Sequence, residues 1–137
     1  MPGDTPSIYP DGYAKRLPKG ATLLFQVHYT PNGKERRDRP TLAVLFPEGP
    51  PLFVVQSNAV VNRQFEIPPG AANHEVRVRA HFPQEVGLLS LFPHMHTRGK
   101  DFRIVAHFPD GKEQELLFAH YDFNWQEAYI LPDPLLL

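Results

Sequence analysis

Proline or glycine breaks this chain about every ten residues, a rhythm that leaves no room for a run of ordinary helices. Seven of the 16 prolines and four of the 9 glycines fall in Pro31-Asn32-Gly33, Pro47-Glu48-Gly49-Pro50-Pro51, Pro68-Pro69-Gly70 and Pro109-Asp110-Gly111. Each cluster offers a fixed or a positive φ, which is turn chemistry. Between the clusters apolar residues alternate with polar ones. The clearest case is 74–82, where Val76, Val78, Ala80 and Phe82 share one face and Glu75, Arg77, Arg79 and His81 the other. That period of two belongs to a half-buried strand. Further strands are expected at 22–30, 41–46, 52–61, 63–67, 86–96, 101–108, 114–120 and 125–131. The fold class expected is all-β, an antiparallel β-sandwich.

Composition narrows the function. With 137 residues the chain makes one domain or two small halves, and 42% hydrophobic content is enough to expect a core. Fourteen basic against fifteen acidic residues give a formal charge of −1. No field of that size gathers a polyanion, so neither nucleic acid nor an acidic membrane surface is an expected partner. The absence of cysteine excludes disulfides, thiolate zinc sites, iron–sulfur clusters, blue copper and thiol nucleophiles. The longest nearly apolar run, 86–93, is far too short for a membrane span. The N-terminal Met1-Pro2-Gly3-Asp4 carries no basic and apolar leader, which fits either a cytoplasmic chain or one whose leader has been removed.

Seven histidines remain as the chemical resource. His94 and His96 stand one residue apart at the end of the apolar strand 86–96. In extended backbone such residues share a face, with Cβ atoms roughly 6.5–7 Å apart, so two imidazoles can converge on one Zn, Cu, Fe or Ni ion. Met95 points to the opposite face. The alternative is two ordinary strand-end histidines, one hydrogen-bonded and one solvated. His28 lies on the polar face of 22–30 and reads as a surface histidine on spacing alone. His81 and His107 read as wet-face residues; His74 and His120 could each add a ligand, though no spacing demands it. A cupin site would want a glutamate shortly after His96, where Thr97-Arg98-Gly99-Lys100 stands instead. Gly-x-Ser-x-Gly elbows, phosphate loops and a glycosidase carboxylate pair are absent as well.

The chain resembles a known family in several motifs taken in order. They are Phe25-Gln26-Val27-His28-Tyr29-Thr30-Pro31-Asn32-Gly33, Ile67-Pro68-Pro69-Gly70, Phe92-Pro93-His94-Met95-His96 with Gly99-Lys100, Pro109-Asp110-Gly111, and Tyr121-Asp122-Phe123-Asn124-Trp125-Gln126. This string, over 9–131, is similar to copper type II, ascorbate-dependent monooxygenases, the family of peptidylglycine α-hydroxylating monooxygenase and dopamine β-hydroxylase, and most of all to bacterial members.

The resemblance implies two jelly-roll sandwiches, each with one copper. A three-histidine copper takes electrons from ascorbate, and a copper held by two histidines and a methionine activates O2 for attack on a substrate C–H bond. Carried over, His94 and His96 match the histidines of the oxygen-activating copper and His28 matches one histidine of the electron-transfer copper. The family's adjacent His-His pair upstream of His28 is missing, and so is its methionine downstream of Trp125, since Met1 and Met95 are the only methionines. In family terms 1–46 is the tail of the first sandwich, 47–51 a short connection, and 52–137 a second sandwich lacking its closing strands.

A trimmed chain of this kind is expected to bind copper without turnover. Its incomplete sheets would be completed by a partner chain, in a homo-oligomer or a larger polypeptide. The substrate, small-molecule or peptide-like, is unspecified, and the resemblance places the protein outside the cytoplasm. The competing expectation is a non-catalytic β-sandwich serving as an interaction or structural module, with at most adventitious zinc or nickel on its histidines.

Overall fold

A computed structural model describes residues 6–137. Among them there is no helix; six short strands form three two-stranded sheets. The chain divides into two compact units, Ile8–Ala59 and one that holds Val60–Leu137. Residues 47–51 lie inside the first of these.

In the Ile8–Ala59 unit, β1 (Tyr13–Lys15) pairs with β2 (Phe53–Val55). This pairing is parallel, against the expectation of antiparallel strands throughout, and β1 itself was not among the expected strands. A turn delivers it: Tyr13 N–H donates to the Pro10 carbonyl at 3.1 Å, and Gly12 takes a φ of 83°, which L side chains rarely adopt. The Gly12 carbonyl then accepts from both Leu52 and Phe53 N–H, at 2.8 and 3.0 Å. Tyr13 stacks on Phe53 with ring centres 4.7 Å apart.

In the unit holding Val60–Leu137, β3 (Gly87–Leu91) runs antiparallel to β6 (Tyr129–Leu136), and β4 (Asp101–His107) to β5 (Glu113–His120). The β4–β5 connection is the expected Pro109-Asp110-Gly111 turn. Gly111 N–H reaches the Phe108 carbonyl at 3.0 Å, Gly111 adopts φ 85°, and Lys112 N–H donates to Asp110 Oδ1 at 2.9 Å. One irregularity interrupts each ladder. Between β3 and β6 the pairing breaks between Leu88 and Ser90, opposite a stretch that contains Pro132 and Pro134, which have no N–H to donate. Between β4 and β5 a bulge at Ile104/Val105 leaves Leu116 without a partner, and both Leu116 and Leu117 are half-buried.

Several expected strands are corrected. Residues 22–30, 41–46, 63–67 and 74–82 pair with nothing, although 74–82 has the strongest alternation. Alternation specifies a face, whereas a strand also needs a neighbour for its N–H and C=O groups. Strand 52–61 shrinks to Phe53–Val55, strand 86–96 ends at Leu91, and strand 125–131 moves to Tyr129–Leu136. The Leu91 end follows from Pro93, which donates no hydrogen bond and restricts Phe92.

The expected core is present only locally. Val76, Val78 and Phe82 remain 39%, 47% and 42% exposed. The chain presents 12950 Å² to solvent, where a folded monomer of 15.6 kDa exposes roughly 7,000 Å². Among the described residues only Pro93, Ala119 and Gln126 are buried, and all three lie in the unit that carries His94 and His96.

Candidate metal centre

His94 and His96 sit just past the end of β3, in the loop that follows buried Pro93. Both are exposed, yet their rings come together, with centres 5.4 Å apart and planes inclined by 72°. Metal–nitrogen bonds of about 2.0–2.1 Å at a tetrahedral or trigonal angle put the centres of two rings on one ion about 5–5.5 Å apart. The same separation also suits an edge-to-face ring pair.

The floor beneath His94 is the most buried part of the unit. His94 Nδ1 lies 2.7 Å from Oε1 of Gln126, whose side chain is 3% exposed. The Gln126 Nε2 group donates in turn to the Phe123 carbonyl at 2.7 Å. A turn presents both groups: Trp125 N–H donates to the Asp122 carbonyl at 3.1 Å, and Asn124 N–H donates to Asp122 Oδ1 at 2.8 Å. Pro93, Ala119, Tyr121, Trp125 and Gln126 line a cavity of about 20 Å³ below, roughly the room of one water.

Tyr121 fixes the other side of the loop. Its hydroxyl donates to the Met95 carbonyl, and its N–H donates to the Lys100 carbonyl at 2.8 Å. Gly99 N–H closes the loop on the His96 carbonyl, also at 2.8 Å. Phe123 stands beside His96, ring centres 6.3 Å apart. The Met95 Cβ lies against Gly99.

The other histidines fall elsewhere. His28 belongs to the Ile8–Ala59 unit, in the exposed, unpaired stretch 21–30. Its neighbour Tyr29 donates to Asp38 Oδ2 at 2.6 Å, and that hydrogen bond to the carboxylate raises the phenol above its ordinary pKa. His120 faces Asp101 across the β4–β5 ladder, Nδ1 to Oδ1 at 2.6 Å, and His107 faces Glu113 at 3.0 Å. Among the described residues no three His, Asp or Glu side chains gather as a ready metal cage.

The donor set is therefore two imidazoles. It fits a cation content with two nitrogen donors from the protein, as Cu(I) is, better than one that demands an oxygen cage. Copper bound there would supply one-electron redox chemistry; the chain's own contribution is to set two rings side by side and keep His94 from turning. Gln126 is not legible in the sequence as a partner of His94. It stands within the Tyr121–Gln126 string quoted for the resemblance, but nothing in its residue type marks it as a histidine partner. No family model, no curated protein and no solved structure matches the chain.

Among the described residues no helix is long and apolar enough to cross a membrane.

Proposed function

We propose that this protein binds one copper ion through His94 and His96, in a β-sandwich related to the ascorbate-dependent copper monooxygenases, and that it binds without turning over. The observation that carries the reading is the close ring pair, 5.4 Å between centres, with one ring tied to a buried amide. Binding without turnover follows from the donors: two imidazoles leave the ion loosely held, and His28 is a lone further donor in the other unit. An extracytoplasmic location belongs to the same proposal.

Copper titration followed by electron paramagnetic resonance tests it. The expected result is one Cu(II) per chain with nitrogen coupling from two imidazoles. Oxygen uptake on adding ascorbate should not exceed that of the same amount of free copper. No saturable binding overturns the metal reading, and uptake well above free copper overturns the absence of turnover.

A second reading, an interaction module that pairs with a second copy of itself, draws on the uncovered apolar face of Val76, Val78 and Phe82. Faces of this kind on unpaired segments favour strand addition between chains. Light scattering across a concentration series is expected to give at least a dimer mass. A monomer mass throughout overturns this reading.

A further inference from the structure

We propose that Gln126 is a positioning residue that selects the Nδ1–H tautomer of His94 and so presents the bare Nε2 to a metal ion, an inference that rests on the copper reading for its purpose but not for its geometry.

The far end of the amide fixes its orientation. Gln126 has two ends, one that only donates and one that only accepts. The Phe123 carbonyl, which can only accept, lies 2.7 Å from one of them, so that end is the NH2 group. The reverse orientation would press two acceptor oxygens together at hydrogen-bonding distance. The end facing His94 is then the Oε1 acceptor, 2.7 Å from Nδ1. An acceptor at that distance requires the hydrogen to sit on Nδ1. A neutral imidazole carries one N–H, so Nε2 keeps its lone pair.

Burial makes the selection firm. With Gln126 3% exposed beside buried Pro93 and Ala119, bulk solvent does not reach the amide, and the cavity beside it holds about one water. Losing the bond therefore costs a buried, unpaired polar group rather than a simple exchange with solvent. His94 itself is exposed. Metal-binding histidines commonly donate their second nitrogen to such an outer partner, which fixes the ring's orientation and raises its basicity. Here the partner is an uncharged amide, which orients the ring without adding negative charge.

The test uses the metal-free chain first. Long-range ¹H–¹⁵N correlation spectra of the imidazoles, at a pH where His94 is neutral, are expected to show the Nδ1–H pattern for His94. Gln126→Leu should turn that pattern to Nε2–H. With Cu(II) alone as the probe, Gln126→Leu is expected to weaken binding about 10–100-fold. An Nε2–H pattern in the wild-type spectrum overturns the assignment, and this reading holds even if a variant fails to fold. An unchanged tautomer in a folded Gln126→Leu overturns it equally. Wild-type chain that shows Nδ1–H on His94 yet ignores copper overturns the metal reading and leaves the tautomer selection standing.

Discussion

Replacing His94 and His96 together by alanine is expected to remove copper binding from this chain, lowering affinity by more than about 100-fold. The figure exceeds the roughly 10–100-fold cost of losing an outer-shell partner because here the donors themselves disappear. Both side chains are exposed and neither fills a packed space; His94→Ala leaves Gln126 Oε1 without its partner at a cost of about 1–3 kcal/mol, so a melting curve accompanies the titration. Circular dichroism is expected to match wild type while the titration curve flattens to that of free histidine-poor protein. Either single substitution should cost nearly as much as the double, since one remaining imidazole cannot share an ion with a ring that is gone. Strong non-additivity of this kind marks residues acting as a unit. Should the double variant bind copper within about twofold of wild type, the ion is held elsewhere, and the remaining five histidines become the candidates.

The second large effect is expected at Gly99. A Cβ there would fall 2.6 Å from Tyr121 Cδ1, 2.8 Å from Met95 Cβ and 3.0 Å from Tyr121 Cε1. None of these atoms is the loose end of a flexible chain. The Tyr121 ring is held at its hydroxyl by the Met95 carbonyl and at its N–H by the Lys100 carbonyl, and a Cβ moves only with its backbone. Gly99 is thus kept small by its neighbours; its φ is not in the positive range that reserves a site for glycine.

Gly99→Ala must push the loop of His94–His96 away from Tyr121, at a cost of about 1–3 kcal/mol by the usual scale of overpacking. For a unit of this size that corresponds to a fall of about 4–24 °C in the melting midpoint. Gly99→Val should cost more. Copper affinity should fall in parallel, because displacing Met95 displaces both rings beside it. Differential scanning calorimetry and the same titration check the two parts together. An unchanged midpoint would mean that the loop is free to move and the clamp has no hold on the histidines.

What the sequence conveyed about this molecule was local. The spacing of His94 and His96 needs only extended backbone between them, and the rings meet although the strand stops at Leu91. Pro109-Asp110-Gly111 makes its hairpin for reasons contained in the three residues themselves. The partnership of strands was not legible. Residues 74–82 alternate perfectly and still pair with nothing, because alternation carries no information about a neighbour. The parallel contact of Tyr13–Lys15 with Phe53–Val55 is too short to show any period, and its partners are far apart in the chain. Gln126 was hidden for a different reason. A glutamine inside a turn reads as solvent-facing, and only the fold reveals that it is buried between the Phe123 carbonyl and an imidazole.

The unpartnered Leu116 has a bearing on how the chain tolerates change in length. It offsets the second half of β5 by one place, so that Leu117 and Ala119 point inward together while His120 stays out beside Asp101. Delete Leu116 itself and every pair from Asp101–His120 to His107–Glu113 can be kept in an unbroken ladder, so the hairpin can lose this one residue without exchanging its faces. A second extra residue in β5 would have no such slot, and by turning Ala119 outward it would reach the histidine pair without touching it.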